Sequence, residues 1–175
     1  MNIFLRLFIL IPLFFAAFGT SAAPHPLTGS SMINNPQNAL AFAQMGFTVG
    51  AIPADWAYTK SVETRADVIE IGQNQKSLLT FRLETVSAQA HLENYVRQFL
   101  RDYNQYGFEV GQLQSKNQGN LVVVDLNQKN KTTRSRQVFF KKNNHVVIAT
   151  CNDVTARFDS TLLVCNQILN RFQWK

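Results

Sequence analysis

Three histidines, two cysteines and eleven acidic residues are the groups in this 175-residue sequence that could carry chemistry. His25, His91 and His145 each stand without a second ligand or base at a spacing that would join them, so surface or boundary positions account for them better than catalysis. There is no His-Glu-x-x-His pair, no Gly-x-Ser-x-Gly elbow and no phosphate-binding glycine loop; Gly107, Gly111 and Gly119 stand alone. Glu63, Asp67 and Glu70 could gather around a turn as a carboxylate pair for hydrolysis, with solvated surface acids as the simpler alternative. No catalytic residue, metal ligand or cofactor is assigned on these grounds.

Cys151 and Cys165 are an even pair, which in an exported chain reads as a disulfide closing a short loop, worth roughly 3 kcal/mol in the chain-entropy account. Bonded cysteines are not nucleophiles, because attack needs a free thiolate. Two buried free thiols are the alternative.

The strongest charged feature is Lys129, Lys131, Arg134, Arg136, Lys141 and Lys142, in a stretch with no acid between Asp125 and Asp153. Arg134 and Arg136 share one face of a strand by alternation. The six cations would crowd one lobe of a hairpin and bind an acidic protein, anionic headgroups or a polyanion. Alternatively they are edge-strand cations that discourage strand addition. Nucleic acid is the least favoured partner, since no recognition motif is present. Asn130-Lys131-Thr132 matches a glycosylation acceptor, which matters only in a eukaryotic secretory setting.

Residues 1–22 read as a cleavable export signal. Arg6 is the only charge, Leu7 to Phe18 is apolar, and Gly19 to Ala23 supplies small residues. The apolar core is short for a membrane span and contains Pro12. Removing the signal takes away one positive charge and leaves the mature chain at +5. The address is periplasmic or extracellular, and no later stretch is long and apolar enough to span a bilayer. Residues 23–45 have linker composition, with a short helix from Pro36 to Met45 capped by Asn35 and Leu40 facing inward. Residues 46–175 form one domain.

Within it, Gly46 to Pro53, the piece from Trp56, Val68 to Gly72 and Ser77 to Val86 read as strands. Leu79, Phe81 and Leu83 alternate with Thr80, Arg82 and Glu84 in the last of them. Ala88, Leu92, Tyr95, Val96, Phe99, Leu100 and Tyr103 then recur at helical spacing, with Ser87 as N-cap and Gly107 as the stop. Phe108 to Gln114, Asn120 to Asn127, Arg134 to Lys141 and His145 to Cys151 make a four-strand meander; short links force antiparallel neighbours. Phe158, Leu162, Cys165, Leu169 and Phe172 mark a closing helix, capped by Asp153 or Thr155 and stapled by Cys165 to the strand carrying Cys151. This order gives an α+β fold, an antiparallel sheet of about six to eight strands flanked by helices.

The opening strand into a proline and tryptophan (Phe47 to Trp56) is one recognisable feature. Others are the Leu92 to Tyr103 helix ending before Gly107 and the strand pair around Val122 and Phe139. The closing helix finishing in Ile168-Leu169-Asn170-Arg171-Phe172-Gln173-Trp174 is the last. On these features residues 46–174 resemble the PsbP-like superfamily, whose α/β/α sandwich is shared with Mog-like proteins and several bacterial exported proteins. The resemblance implies docking onto larger proteins or assemblies and no shared active site. The expectation is therefore a small exported binding protein, periplasmic or released as an effector. The alternatives are a small secreted hydrolase with carboxylates assembled by the fold and an accessory subunit of an envelope assembly.

Overall fold

The computed structural model describes residues 41–58, 68–73 and 76–175. The export signal, the linker through residue 40, His25, Glu63 and Asp67 lie outside them. Residues 41–44 are helical, and the rest of the short helix expected from Pro36 to Met45, with its Asn35 cap and Leu40, lies outside the described residues.

The strands are β1 (Phe47–Thr48), β2 (Ala57–Tyr58), β3 (Val68–Gly72), β4 (Leu78–Thr85), β5 (Phe108–Val110), β6 (Gln114–Lys116), β7 (Leu121–Gln128), β8 (Thr133–Lys142), β9 (His145–Val154) and β10 (Gln173–Trp174). The helices are α1 (Leu92–Leu100) and α2 (Phe158–Leu169). One antiparallel sheet runs β2-β3-β4-β9-β8-β7-β5, with β6 following β5 along the same edge of β7; β1 pairs separately with β10. The expected α+β architecture is the one observed.

The sheet is buried on both sides, so its central strands read as apolar runs. On β9, Val146 and Ile148 turn one way and Val147, Ala149 and Cys151 the other. Leu92, Val96 and Leu100 of α1 cover the first set together with Val122, Val124, Leu126 and Phe139. Phe158, Cys165, Ile168 and Leu169 of α2 are buried on the other side, where the 42–56 segment completes the cover. There Phe42, Phe47 and Phe81 meet edge-on or tilted, with centroids 5.1–5.7 Å apart. Phe172 stacks on Phe140 at 3.9 Å.

Several local expectations are corrected. Gly46 to Pro53 is not one strand: only Phe47–Thr48 forms a ladder, and the chain beyond is held by the Gly50 N–H donating to the Ile168 carbonyl at 2.8 Å. The closing helix does not reach Trp174. It ends at Leu169, and Gln173–Trp174 turns back as β10 because Phe172 and Trp174 complete the aromatic cluster around Phe47. Phe108 to Gln114 splits where the Gly111 N–H reaches the Asp125 carbonyl at 2.8 Å, leaving residues 111–113 out of the ladder. Ser87 does not cap α1; the helix begins at Leu92 with His91 in the cap position, and the Ser87 hydroxyl bonds Gln89 instead. Asp153 and Thr155 do not occupy the cap of α2, which is Arg157; Asp153 is a buried end residue of β9.

Candidate functional site

The disulfide forms as expected, Cys151 to Cys165, with Cα atoms 6.1 Å apart. It ties β9 to the middle of α2, and both cysteines are buried.

The six cations do not gather in one lobe. Lys129 and Lys131 lie at the β7–β8 turn, whereas Lys141 and Lys142 lie at the β8–β9 turn. A ten-residue strand separates these ends by about 30 Å. Most of the cations are also engaged within the fold. The Nζ groups of Lys129, Lys141 and Lys142 donate to the carbonyls of Asn104, Ala88 and Lys175 at 3.0, 3.0 and 2.9 Å. Arg134 pairs with Asp159 at 3.1 Å and sits 4.6 Å over the Phe158 ring. Arg136 makes a two-pronged pair with Asp125 at 2.7 and 2.8 Å, and those bonds raise its pKa against the partial burial that would lower it. Arg134 and Arg136 do share a sheet face, as alternation requires.

That face carries a concavity. α2 packs over β9 and β8, so β7 and the edge strand β6 lie beyond it. The result is a groove of about 390 Å³, within the range of binding clefts. Its floor is Leu121, Val123, Val138 and Phe140, two cross-strand pairs set by the β7–β8 register. The Asn166 and Asn170 side chains bound it on the α2 side, and Gln114 and Asn117 on the β6 side. Lys116 stands at one end, aligned with Leu121, and Arg136 at the other, aligned with Asp125. Four residues of β7 separate these alignments, about 13 Å of strand. Lys116 makes no ion pair with a described residue. Sequence reading found Arg136 but missed Lys116 and the two asparagines, which converge only when β6 and the end of α2 meet across β7.

A second depression of about 500 Å³ opens beside the start of α1, lined by Ser87, His91, Asn94 and Tyr95. No Lys, Arg, Asp or Glu lines it. The Tyr95 hydroxyl is bonded to Glu84, and burial followed by that bond pushes its pKa above the ordinary tyrosine value, which suits it poorly to proton transfer. Glu70, the described member of the suspected carboxylate cluster, accepts from Thr80 at 3.3 Å on β3. His145 opens β9, exposed. Among the described residues no three His, Cys, Asp or Glu side chains are placed to hold a metal ion, and no helix is long and apolar enough to cross a membrane.

No protein-family model matches the chain, and no curated protein matches its sequence. Solved structures do match its fold. The Ran-binding protein Mog1p of Saccharomyces cerevisiae superposes with a TM-score of 0.54, at 10% identity over 74% of this chain and 90% of that one. The cyanobacterial PsbP (CyanoP) of Synechocystis sp. PCC 6803 gives 0.49, at 9% identity over 75% and 88%. A Bacteroides thetaiotaomicron protein gives 0.41, at 8% identity over 74% of this chain and 45% of that one. The Mog1p match shows a Mog1p-like fold, and at 10% identity the likeness is one of fold alone.

Proposed function

Starting from that Mog1p-like fold, we propose that this chain is an exported, non-catalytic docking protein that holds a protein partner in the β6–β7–α2 groove. One observation carries the reading: the groove beside α2 leaves Leu121 and Val123 half-buried next to the buried Val138 and Phe140, with Lys116 at one end and the Arg136–Asp125 pair at the other. An apolar centre with a polar, cationic rim is the anatomy of a protein-recognition patch. Mog1p, which shares the fold, is itself named for binding a protein. The remaining cations, Lys129 and Lys131 at one end of β8 and Lys141 and Lys142 at the other, widen the positive field and favour an acidic partner by steering. A disulfide buried in the core suits folding in an oxidising compartment, which supports export through the N-terminal segment.

The test is site-specific cross-linking in the native host. A photo-reactive side chain at Val123, half-buried on the groove floor, should capture one discrete protein. The same group at Leu163, exposed on the outer side of α2, should not. Capture at Leu163 with none at Val123 would move the docking face elsewhere.

A further inference from the structure

Two turns and two further chain segments meet at one end of the sheet. The 117–120 turn and the Asn143–Asn144 turn are neighbours there, since the Lys141 N–H donates to the Asn120 carbonyl at 2.9 Å. The Val86 N–H donates to the Asn144 carbonyl at 2.8 Å, and the Lys175 N–H to the Gly46 carbonyl at 2.9 Å. Lys116, Lys141, Lys142 and Lys175 converge on this end. Lys116 is aligned with Phe140 through Leu121, two strand spacings across and two residues short of Lys142. That sets the two lysine backbones about 12 Å apart. The Lys142 Nζ in turn reaches the Lys175 carbonyl.

None of these four lysines makes an ion pair with a described residue. The carbonyls that accept from Lys141 and Lys142 orient the ammonium groups without neutralising them. A terminal carboxylate on Lys175 would cancel one charge of the four and leave three. The nearest acids, Glu84 and Glu93, are spent on Arg82 and Arg97 of their own strand and helix. We propose that this end is a membrane-surface contact, resting on the headgroups of anionic phospholipids. Its cations are all lysines, hydrated point charges on flexible stems that suit a diffuse anionic layer; two-pronged recognition of a protein carboxylate favours arginine. Residues 116–118 and 142–145 are exposed, so turn tips meet the layer. Trp174, half-buried beside Lys175, supplies an indole, an amphipathic ring suited to the headgroup level.

The test uses the full mature protein and vesicles of phosphatidylcholine with or without phosphatidylglycerol, read by co-sedimentation at low salt. Binding is expected only to vesicles that contain phosphatidylglycerol, and it should fade as salt is raised. Each lysine near such a surface is worth about fivefold, so Lys141→Gln with Lys142→Gln should weaken binding about 25-fold. Lys129→Gln with Lys131→Gln removes the same charge from the opposite end of β8. It should leave binding nearly unchanged, because charges about 30 Å from the layer are screened. Lys116 is intact in both pairs, so capture at Val123 reports on the groove separately. A dye attached at Asn143 should be shielded by the vesicles from a water-soluble quencher, and one at Asn130 should not, which reads orientation whatever the lysine changes do to stability. Absence of binding to the anionic vesicles would overturn the proposal, as would equal losses from the two lysine pairs or equal shielding at the two turns. Retention of an acidic protein through Lys141 and Lys142, with no vesicle bound, would overturn it too and assign this end to a protein.

Discussion

Asp153 ends inside the protein with no solvent exposure, and its carboxylate gathers the Ser77 and Thr161 hydroxyls, each at 2.6 Å, the Val154 N–H at 2.6 Å and Arg157 at 3.0 Å. Burial by itself would raise its pKa. The hydrogen bonds, led by Ser77 and Thr161, outweigh that and hold the pKa below the ordinary aspartate value of 3.8. A carboxylate depressed in the folded state contributes stability above its unfolded pKa and loses it as pH falls through the lower, folded value. Asp153→Asn should therefore cost about 2 kcal/mol at pH 7. The gap from the parent should narrow below pH 3.8, as read by urea unfolding at both pH values. A gap that is constant with pH would mean that the charge plays no part. On the α1 side of the sheet, Gln137 is buried with its Nε2 3.3 Å from the Tyr103 hydroxyl and its Oε1 unpaired among the described residues. It is the one buried side-chain acceptor there whose presence the network does not explain.

The end of α2 is where single elements depend on one another. The 47–56 segment crosses it so closely that a methyl group on Gly50 would lie 2.8 Å from the Gln167 carbonyl oxygen and 3.0 Å from that of Ile168. Both are backbone atoms and cannot swing away, so Gly50→Ala must separate the segment from the helix. A loss of about 1–3 kcal/mol is expected, measured as a lowered denaturation midpoint with an unchanged slope. Because Asn166, Leu169 and Asn170 form one wall of the groove, the same substitution should also weaken whatever binds there. The β1–β10 pair closes this region, and its Phe47–Trp174 alignment shows why the chain beyond α2 leaves the helical path. The aromatic side chains gain more by packing on Phe47 and Phe140 than by continuing a helix into water.

At the scale of the whole molecule, one sheet separates two cores, and the disulfide belongs to the core under α2. Its two ends are 14 residues apart. The Cys151→Ser, Cys165→Ser double variant should therefore lose about 3 kcal/mol. Since Arg136 is aligned with Cys151 across β8 and β9 and Asn166 follows Cys165, the loss should loosen the groove's wall relative to its floor. Faster amide exchange in α2 than in α1 would show this. Equal acceleration of both helices would mean that the bond stabilises the fold uniformly. The net positive charge acts over the same scale, so association with an acidic partner should slow as ionic strength rises.

Much of this fold was legible in the sequence because its signals are local. Alternation marks β4, turn residues bound the strands of the meander, a four-and-three repeat marks both helices, short polar links force antiparallel neighbours, and an even cysteine pair announced its own bond. The basic stretch was legible as composition but not as a surface, because β8 is long enough to carry its cations to opposite ends and neighbours from distant elements engage most of them. Lys116, Asn166 and Asn170 carry no sequence signal at all. They meet only because α2 stops short of β7 and Gly111 bends the edge strand, and such convergence comes from the packing of one element against another, which no pattern along a single element encodes.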